Sequence, residues 1–337
     1  MRLELEPLEE LFERFGVDAG SEEPFPNDGW SGAVLTHLRG RDGRPYVLKR
    51  NTLDRDWIAQ ATDDRDTSGL RETLFAAFGP PLPWPAHAAA LGAGYDTATG
   101  EEAILMPDLS GVLFDWNRAI TIDELDVVLG GLAAVHSIPE EAIEGQVNDT
   151  WWDERLRLIC RSSLERPGPA HDAVATKILP GWDAWDRAAS PAARSIVDSL
   201  ASDREPLLDA LSDEHSALLH GDLKLANVGI GPDGAVEMID WQMVMIAPVA
   251  VELGWFLVSN VNALPLPPAE VLDRYWRARG LDGTRQNDIA ILVGLLLRGW
   301  RKGYDAEAGI SLASGVTAAD DLAWWCGRAV EAAGRVL

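Results

Sequence analysis

Residues 218–242 read LLHGDLKLANVGIGPDGAVEMIDWQ, and no other stretch restricts the fold of this chain as much. Ala217-Leu218-Leu219 is a short apolar run ending at His220, the pattern of a buried strand that delivers a loop. Val228-Gly229-Ile230 and Val236-Glu237-Met238-Ile239 flank Gly231-Pro232-Asp233-Gly234, a hairpin-turn signal. The hairpin returns Asp240 toward Asn227, while Asp222 and Asn227 sit at the two ends of the loop. Two carboxylates, an amide and Lys224 therefore fall on one side of a strand, loop and hairpin. Phosphoryl transfer needs that set: a carboxylate facing an acceptor hydroxyl, hard oxygen ligands for a divalent metal, and a cation near the moving phosphate.

HGDLKLAN followed by IDW resembles the catalytic loop and metal loop of the aminoglycoside phosphotransferase and choline kinase group, which shares the protein-kinase-like fold. That family's loop reads H-G-D-x-x-x-x-N, and its equivalent of D-F-G is commonly I-D-W or I-D-F. The resemblance implies an α+β, two-lobed protein-kinase-like fold, with a small β-rich N-terminal lobe and a larger, mostly helical C-terminal lobe. It implies an O-phosphotransferase using ATP and Mg²⁺, with GTP open as the alternative nucleotide. Asp222 then faces the acceptor hydroxyl, and Asn227 and Asp240 hold the metal. Lys224 departs from the histidine that many aminoglycoside kinases carry there; protein kinases place a lysine at that point, against the γ-phosphate. His220 is implied to fix the loop, and Glu252, where the family often has an aspartate, to support it.

The N-terminal half supplies the rest of a nucleotide site. Residues 33–38 and 46–49 read as two strands joined through Gly40-Arg41-Asp42-Gly43, whose Asp-Gly is a turn signal. Lys49 ends the second strand as the V-A-I-K lysine does in kinases, and by resemblance holds the α- and β-phosphates. Residues 68–78 have the apolar spacing of an amphipathic helix stopped by Gly79-Pro80, which makes Glu72 the candidate partner of Lys49. Gly29 and Gly32, in the loop 27–32 before the first strand, permit close approach of backbone to phosphate. No G-x-x-x-x-G-K-[ST] occurs, which argues against a P-loop kinase. Residues 103–111 resemble the family's hinge; there the resemblance assigns the adenine edge to the Pro107 carbonyl and the Leu109 amide, with Met106 packed near the base.

Boundaries follow: 1–106 as the nucleotide-binding lobe, 107–111 as hinge, and 112–337 as the catalytic and acceptor-binding lobe, with a helical insertion at about 140–216. In this family the helices equivalent to that insertion wall the acceptor site. Trp151, Trp152, Trp182 and Trp185, with the acids Asp149, Asp153, Glu154 and Asp183, are candidates there for stacking on sugars and pairing with ammonium groups. Such tryptophans are more often core, as is His136 at the end of an apolar helix starting near Ile122.

A net charge of −25, from 29 Lys and Arg against 54 Asp and Glu, argues against nucleic acid or an anionic membrane as partner and steers a cationic small molecule inward. That fits an aminoglycoside, amino sugar or related metabolite as acceptor; a role of the charge in solubility alone fits equally. Residues 1–16 are acidic and read as an amphipathic helix, not a leader; the apolar run 289–297 is too short to span a bilayer. Cys160 and Cys326 are far apart and without metal-ligand spacing, which suits a reducing cytoplasm. Two rival readings use the same residues. One is a protein-directed kinase, against which stands the short, apolar segment 241–252, without serine, threonine or tyrosine. The other is a degenerate nucleotide-binding protein, against which stands the presence together of Lys49, Asp222, Asn227 and Asp240.

Overall fold

A computed structural model describes residues 4–26, 29–62, 70–115, 118–139, 141, 151–165 and 169–337. The chain opens with β1 (Glu6–Pro7) and α1 (Leu8–Phe15), so the expected helix over 1–16 is shorter. Pro7, at φ −57° and ψ 140°, stands at the helix start in an extended conformation, and β1 pairs instead with the strand containing Gly94 and Tyr95. Gly16 ends α1 in the left-handed conformation.

β2 (Val17–Pro24), β3 (Val34–Gly40) and β4 (Pro45–Asn51) form an antiparallel meander. Then come α2 (Trp57–Ala61), α3 (Arg71–Phe78), β5 (Ala86–Ala88), β6 (Gly92–Asp96) and β7 (Glu101–Pro107). Six of these strands make one sheet in the order β1-β6-β7-β4-β3-β2. Its two faces bury separate apolar clusters, Leu11, Leu38, Leu48 and Leu105 on one and Val47, Ile104 and Met106 on the other, as alternation along β4 and β7 requires. Residues 68 and 69 of the expected helix, and 27 and 28 of the expected glycine loop, lie outside the described residues.

β5 does not join that sheet. It runs parallel to a strand of the large-lobe hairpin, with Ala86 opposite Val236 and Ala88 opposite Met238. A piece of chain from before residue 107 is thus paired with a strand from after it.

The large lobe contains α4 (Ile122–Val135), α5 (Trp151–Arg157), α6 (Arg161–Leu164), α7 (Pro169–Ala188), α8 (Pro191–Ser202) and α9 (Glu205–Ser212). β8 (Ser216–Leu219) precedes the catalytic loop, β9 (Val228–Ile230) and β10 (Val236–Met238) form the hairpin, and β11 (Met245–Pro248) returns to pair with β8. α10 (Val249–Ser259), α11 (Pro268–Arg279), α12 (Thr284–Glu307) and α13 (Ala318–Val336) complete the lobe. Thr121 and Glu124 form a capping box at the start of α4.

One continuous core joins these helices, with α12 packed against α7, α10 and α13. α10 and α12 cross closely: a Cβ on Gly254 would lie 2.4 Å from the Ala290 carbonyl oxygen, so only glycine allows the contact. Trp182, Trp185, Trp276, Trp300 and Trp325 are buried in this core, the ordinary fate of such residues. Asp149 lies outside the described residues. Among the described residues no helix is long and apolar enough to cross a membrane.

Candidate active site

The strand β8 ends at Leu219 and delivers His220, Gly221 and Asp222 into a turn that only glycine can make. Gly221 has φ +81°, and a Cβ there would lie 1.9 Å from the Met243 carbonyl oxygen. The rest of the loop is held by α10, whose residues 252, 255 and 260 face it along one side. Glu252 accepts the amides of His220 (3.0 Å) and Gly221 (2.7 Å). Trp255 Nε1 donates to Asp222 Oδ1 at 3.0 Å. Asn260, just past the helix end, accepts from the Leu225 amide (2.7 Å) and donates to the Leu223 carbonyl (3.0 Å). Helical spacing turns three side chains into one ruler for the loop.

Asp222 is buried, and its second oxygen, Oδ2, accepts from Lys224 Nζ at 2.8 Å. Asn227 donates its Nδ2 to the Asp222 carbonyl at 3.0 Å, and its own carbonyl accepts from the Ile239 amide at 3.0 Å. His220 fixes the same junction from the other side. Its Nδ1 accepts the Asp222 amide (3.3 Å) and its Nε2–H donates to the Ile239 carbonyl (2.9 Å), which sets the tautomer. The loop and the segment leading into Asp240 are therefore stitched together at Ile239. His136 has a structural place: its ring meets Tyr275 Oη (2.7 Å) and Glu252 (2.9 Å), and burial holds its pKa below the usual imidazole value.

Across the cleft Lys49 lies in the middle of β4, opposite Leu35 on β3 and Ile104 on β7. Its Nζ donates to Glu72 Oε2 at 2.5 Å and to Asp240 Oδ1 at 2.6 Å. Glu72 stands in the first turn of α3, and Asp240 is 191 residues from Lys49 in the chain. Burial opposes the Lys49 ammonium, but Asp240 and Glu72 outweigh it and hold its pKa above the usual lysine value. Burial also pushes the Glu72 carboxyl up to about 7, against the pull of Lys49. For Asp240 the pull of Lys49 overcomes burial, and its pKa lies below the ordinary carboxylate value. Asp240 has φ 65°, the one positive φ outside glycine among the described residues. Aspartate tolerates the left-handed region better than most residues, and the bend turns its carboxylate toward Lys49.

The structure joins Lys49 and its expected partner Glu72 to Asp240, expected as a metal ligand, in one ion triad, and keeps Asp222, Lys224 and Asn227 in one loop; the two groups meet at Ile239. The remaining candidates stand at the edges. Met106 is buried on β7 opposite Val47, two positions along the sheet from the Lys49 pair. Pro107 ends that strand, and Leu109 follows with an amide that makes no hydrogen bond among the described residues. Gly29 and Gly32 precede β3, Gly32 at φ +78°; the Ser31 carbonyl between them accepts from Asn51 Nδ2 at 3.4 Å.

Several residues went unnoticed in the sequence. Asp56 is buried, caps α2 through the Ala59 amide (2.9 Å), and accepts from Asn51 (3.1 Å) and from Gln242, two residues past Asp240. It links the small lobe to the metal loop. Trp255 and Asn260 fall at helical intervals after Glu252, a signal available to anyone reading the helix from that residue. Arg155 and Arg298, both beside Trp255, carry no such signal.

A profile of the phosphotransferase enzyme family matches residues 24–288. The chain belongs to that family. The two-lobed α+β architecture is the kinase-like one that the resemblance implied, and family membership makes the protein a phosphotransferase. Comparison with curated proteins gave no match. Solved structures similar to it include a macrolide 2′-phosphotransferase from Brachybacterium faecium, 19% identical over 96% of each chain, TM-score 0.46. A spectinomycin phosphotransferase in complex with ADP and spectinomycin is 15% identical over 98% of this chain and 97% of that one, TM-score 0.48. A choline kinase from Streptococcus pneumoniae is 12% identical over 97% of each, TM-score 0.49.

A divalent cation fits the donor set. The Asn227 side-chain oxygen and Asp240 Oδ2 make no hydrogen bond among the described residues, and both are the hard oxygens that Mg²⁺ takes. Among the described residues no group of three or more His, Cys, Asp or Glu could hold a metal. Mg²⁺ is bound by one or two protein oxygens and completes its shell with phosphate and water, a number that Asn227 and Asp240 could supply.

Proposed function

We propose that this member of the family is a small-molecule kinase that moves the γ-phosphoryl group of ATP to an acceptor hydroxyl. The observation that carries the reading is the Lys49–Glu72–Asp240 triad, closed across the cleft beside a loop that presents Asp222, Lys224 and Asn227 together. Lys49, braced by Glu72, would hold the nucleotide phosphates, and Asp240 would serve the metal. Asn227 and Asp240 would hold Mg²⁺, which when bound neutralises phosphate charge. The adenine edge meets the Pro107 carbonyl and the Leu109 amide, with Met106 behind it and Gly29 and Gly32 over the phosphates.

Asp222 accepts a hydrogen bond from the acceptor hydroxyl and aims its oxygen in line with the γ-phosphorus. The new P–O bond forms as the bond to the β-phosphate oxygen breaks, ADP leaves, and the hydroxyl proton passes late to Asp222. Lys224 leaves Asp222 for the moving phosphoryl group. Since the transition state is loose, positioning and charge neutralisation supply most of the acceleration. The charge of −25 favours approach of a small cationic acceptor of the aminoglycoside or amino-sugar kind.

Nucleotide consumption against a panel of aminoglycosides, amino sugars, choline-like amines and nucleosides tests the reading. Acceptor-dependent ADP release, lost in Asp222→Asn, is the expected result. Phosphate appearing on polypeptide without any small acceptor would replace this reading with a protein-directed kinase. Nucleotide binding without turnover on any acceptor would leave a degenerate site.

A further inference from the structure

Among the described residues, the carboxylates nominated for an ammonium-bearing acceptor are already paired. Asp153 meets Arg157 at 2.7 Å and Arg204 at 3.2 Å, Glu154 meets Arg157 at 3.7 Å, and Asp183 is bound by Arg161. Asp305, on α12, is taken by Arg301 at 2.8 Å. The unpaired charges beside Asp222 have the other sign. Arg155, on α5, is 1% exposed, donates from Nη2 to the Gly221 carbonyl at 3.2 Å, and leaves Nε and Nη1 buried without a partner. Arg298, on α12, is 9% exposed and its Nε is likewise buried without a partner. Among the described residues neither guanidinium is within ion-pair distance of a carboxylate.

Both guanidiniums lie over the same indole. The Arg155 Cζ is 4.1 Å and the Arg298 Cζ 4.7 Å from the Trp255 ring centroid, and Lys224 Nζ is 5.8 Å from it. Trp255 is the residue that donates to Asp222, so the three cations share the indole that holds the residue proposed to face the acceptor. Burial lowers both arginines to about 10, against the pull of Asp222, which leaves both charged at neutral pH. α12 abandons helical dihedrals at Arg298 alone (φ −139°, ψ 20°), so its one irregular residue is the one that carries this charge. Cation–π contact offsets part of the desolvation of a guanidinium but satisfies none of its N–H groups. Buried, unpaired N–H donors of like charge are unfavourable unless an anion joins them.

We propose that Arg155 and Arg298 form an oxyanion subsite, and that the acceptor phosphorylated at Asp222 carries a carboxylate or phosphate group received there. This rests on the reading of Asp222 as the residue that faces the acceptor. Net charge acts on approach and the arginines act on the bound molecule; a zwitterionic hydroxy compound meets both conditions.

The test is calorimetric titration of the full chain, saturated with Mg²⁺ and a non-hydrolysable ATP analogue, with inorganic phosphate and separately with acetate. Wild-type protein binds at least one of the two; tighter phosphate identifies a phosphorylated acceptor, tighter acetate a carboxylic acid. Arg298→Met keeps much of the apolar stem and weakens that binding about tenfold or more, and leaves nucleotide affinity unchanged. Arg298→Lys, which keeps charge but not the planar fork, serves if the methionine variant fails to fold, and also weakens it. No binding of either anion, or equal binding in wild type and variant, overturns the subsite and leaves the arginines as supports of Trp255. If wild type binds no nucleotide, the kinase reading fails instead, and the titration on the chain alone still reads the arginine pair.

Discussion

On the large-lobe side of the cleft the reacting groups are fixed from behind by bonds internal to that lobe. Glu252, Trp255 and Asn260 hold the backbone or side chain of residues 220–225, and His220 pins the loop to Ile239. On the small-lobe side Lys49 is held by two carboxylates and, among the described residues, by nothing neutral. One half is a surface whose backbone is held by its own lobe, with the Lys224–Asp222 pair as an open ionic contact. The other is an ion triad in which Asp240, the residue that would hold a metal under the proposed function, is engaged by Lys49. Under the proposed function the difference gives separate tasks: geometry for the acceptor on one wall, exchange of charge for the nucleotide on the other.

If that division holds, the two walls fail differently when mutated. Asp222→Asn lowers kcat by roughly 10²–10⁴-fold, the range for loss of a positioned base, with nucleotide affinity almost unchanged. Unchanged turnover removes Asp222 from the mechanism. Glu252→Ala deletes the acceptor for two buried amides and the His136 ring, and destabilises the fold by about 3–5 kcal/mol in denaturant unfolding. A stability equal to wild type would show that the loop does not depend on α10.

Trp255→Phe keeps the ring and removes the hydrogen bond to Asp222 Oδ1; kcat falls about tenfold while KM for ATP stays constant, read from steady-state kinetics in both substrates. A change in KM for ATP alone would place Trp255 on the wrong wall. The smallest effect is on the nucleotide side. Because Glu72 titrates near 7 in the free protein, kcat/KM for ATP rises with pH through about 7 as the carboxylate that braces Lys49 ionises. Glu72→Gln flattens that limb. The linked effect on stability has the opposite sign. The folded protein keeps a proton that the unfolded chain releases at its ordinary value of 4.5, so this contribution is full below 4.5 and is lost as pH rises through about 7.

The parts of the site that were legible in the sequence are those whose chemistry and local structure coincide. Lys49 lies within an apolar strand that runs on to Asn51, Glu72 opens an amphipathic helix, and Asp222, Asn227 and Asp240 belong to one loop and hairpin, so short-range pattern located them and the family resemblance gave them roles. Asp56 was hidden because a capping aspartate in a five-residue helix looks like any other; its bond to Gln242 exists only when the lobes meet. Arg155 and Arg298 were hidden for a related reason. One lies in a helix of seven residues and the other beyond an apolar run, and what matters about them is a shared indole from a third helix. Strand β5 shows the limit for the fold. Ala86-His87-Ala88 has no strand signal of its own, and it is extended because β10 offers it a pairing edge.

Titration of ATP with and without Mg²⁺, on wild type and on Asp240→Ala, tests the central claim most directly. The account predicts tight binding to wild type only when Mg²⁺ is present, and no gain from Mg²⁺ in the variant, whose Lys49 has lost one of its two carboxylates. Equal affinity with and without the metal in wild type, or a metal effect that survives the loss of Asp240, would contradict it.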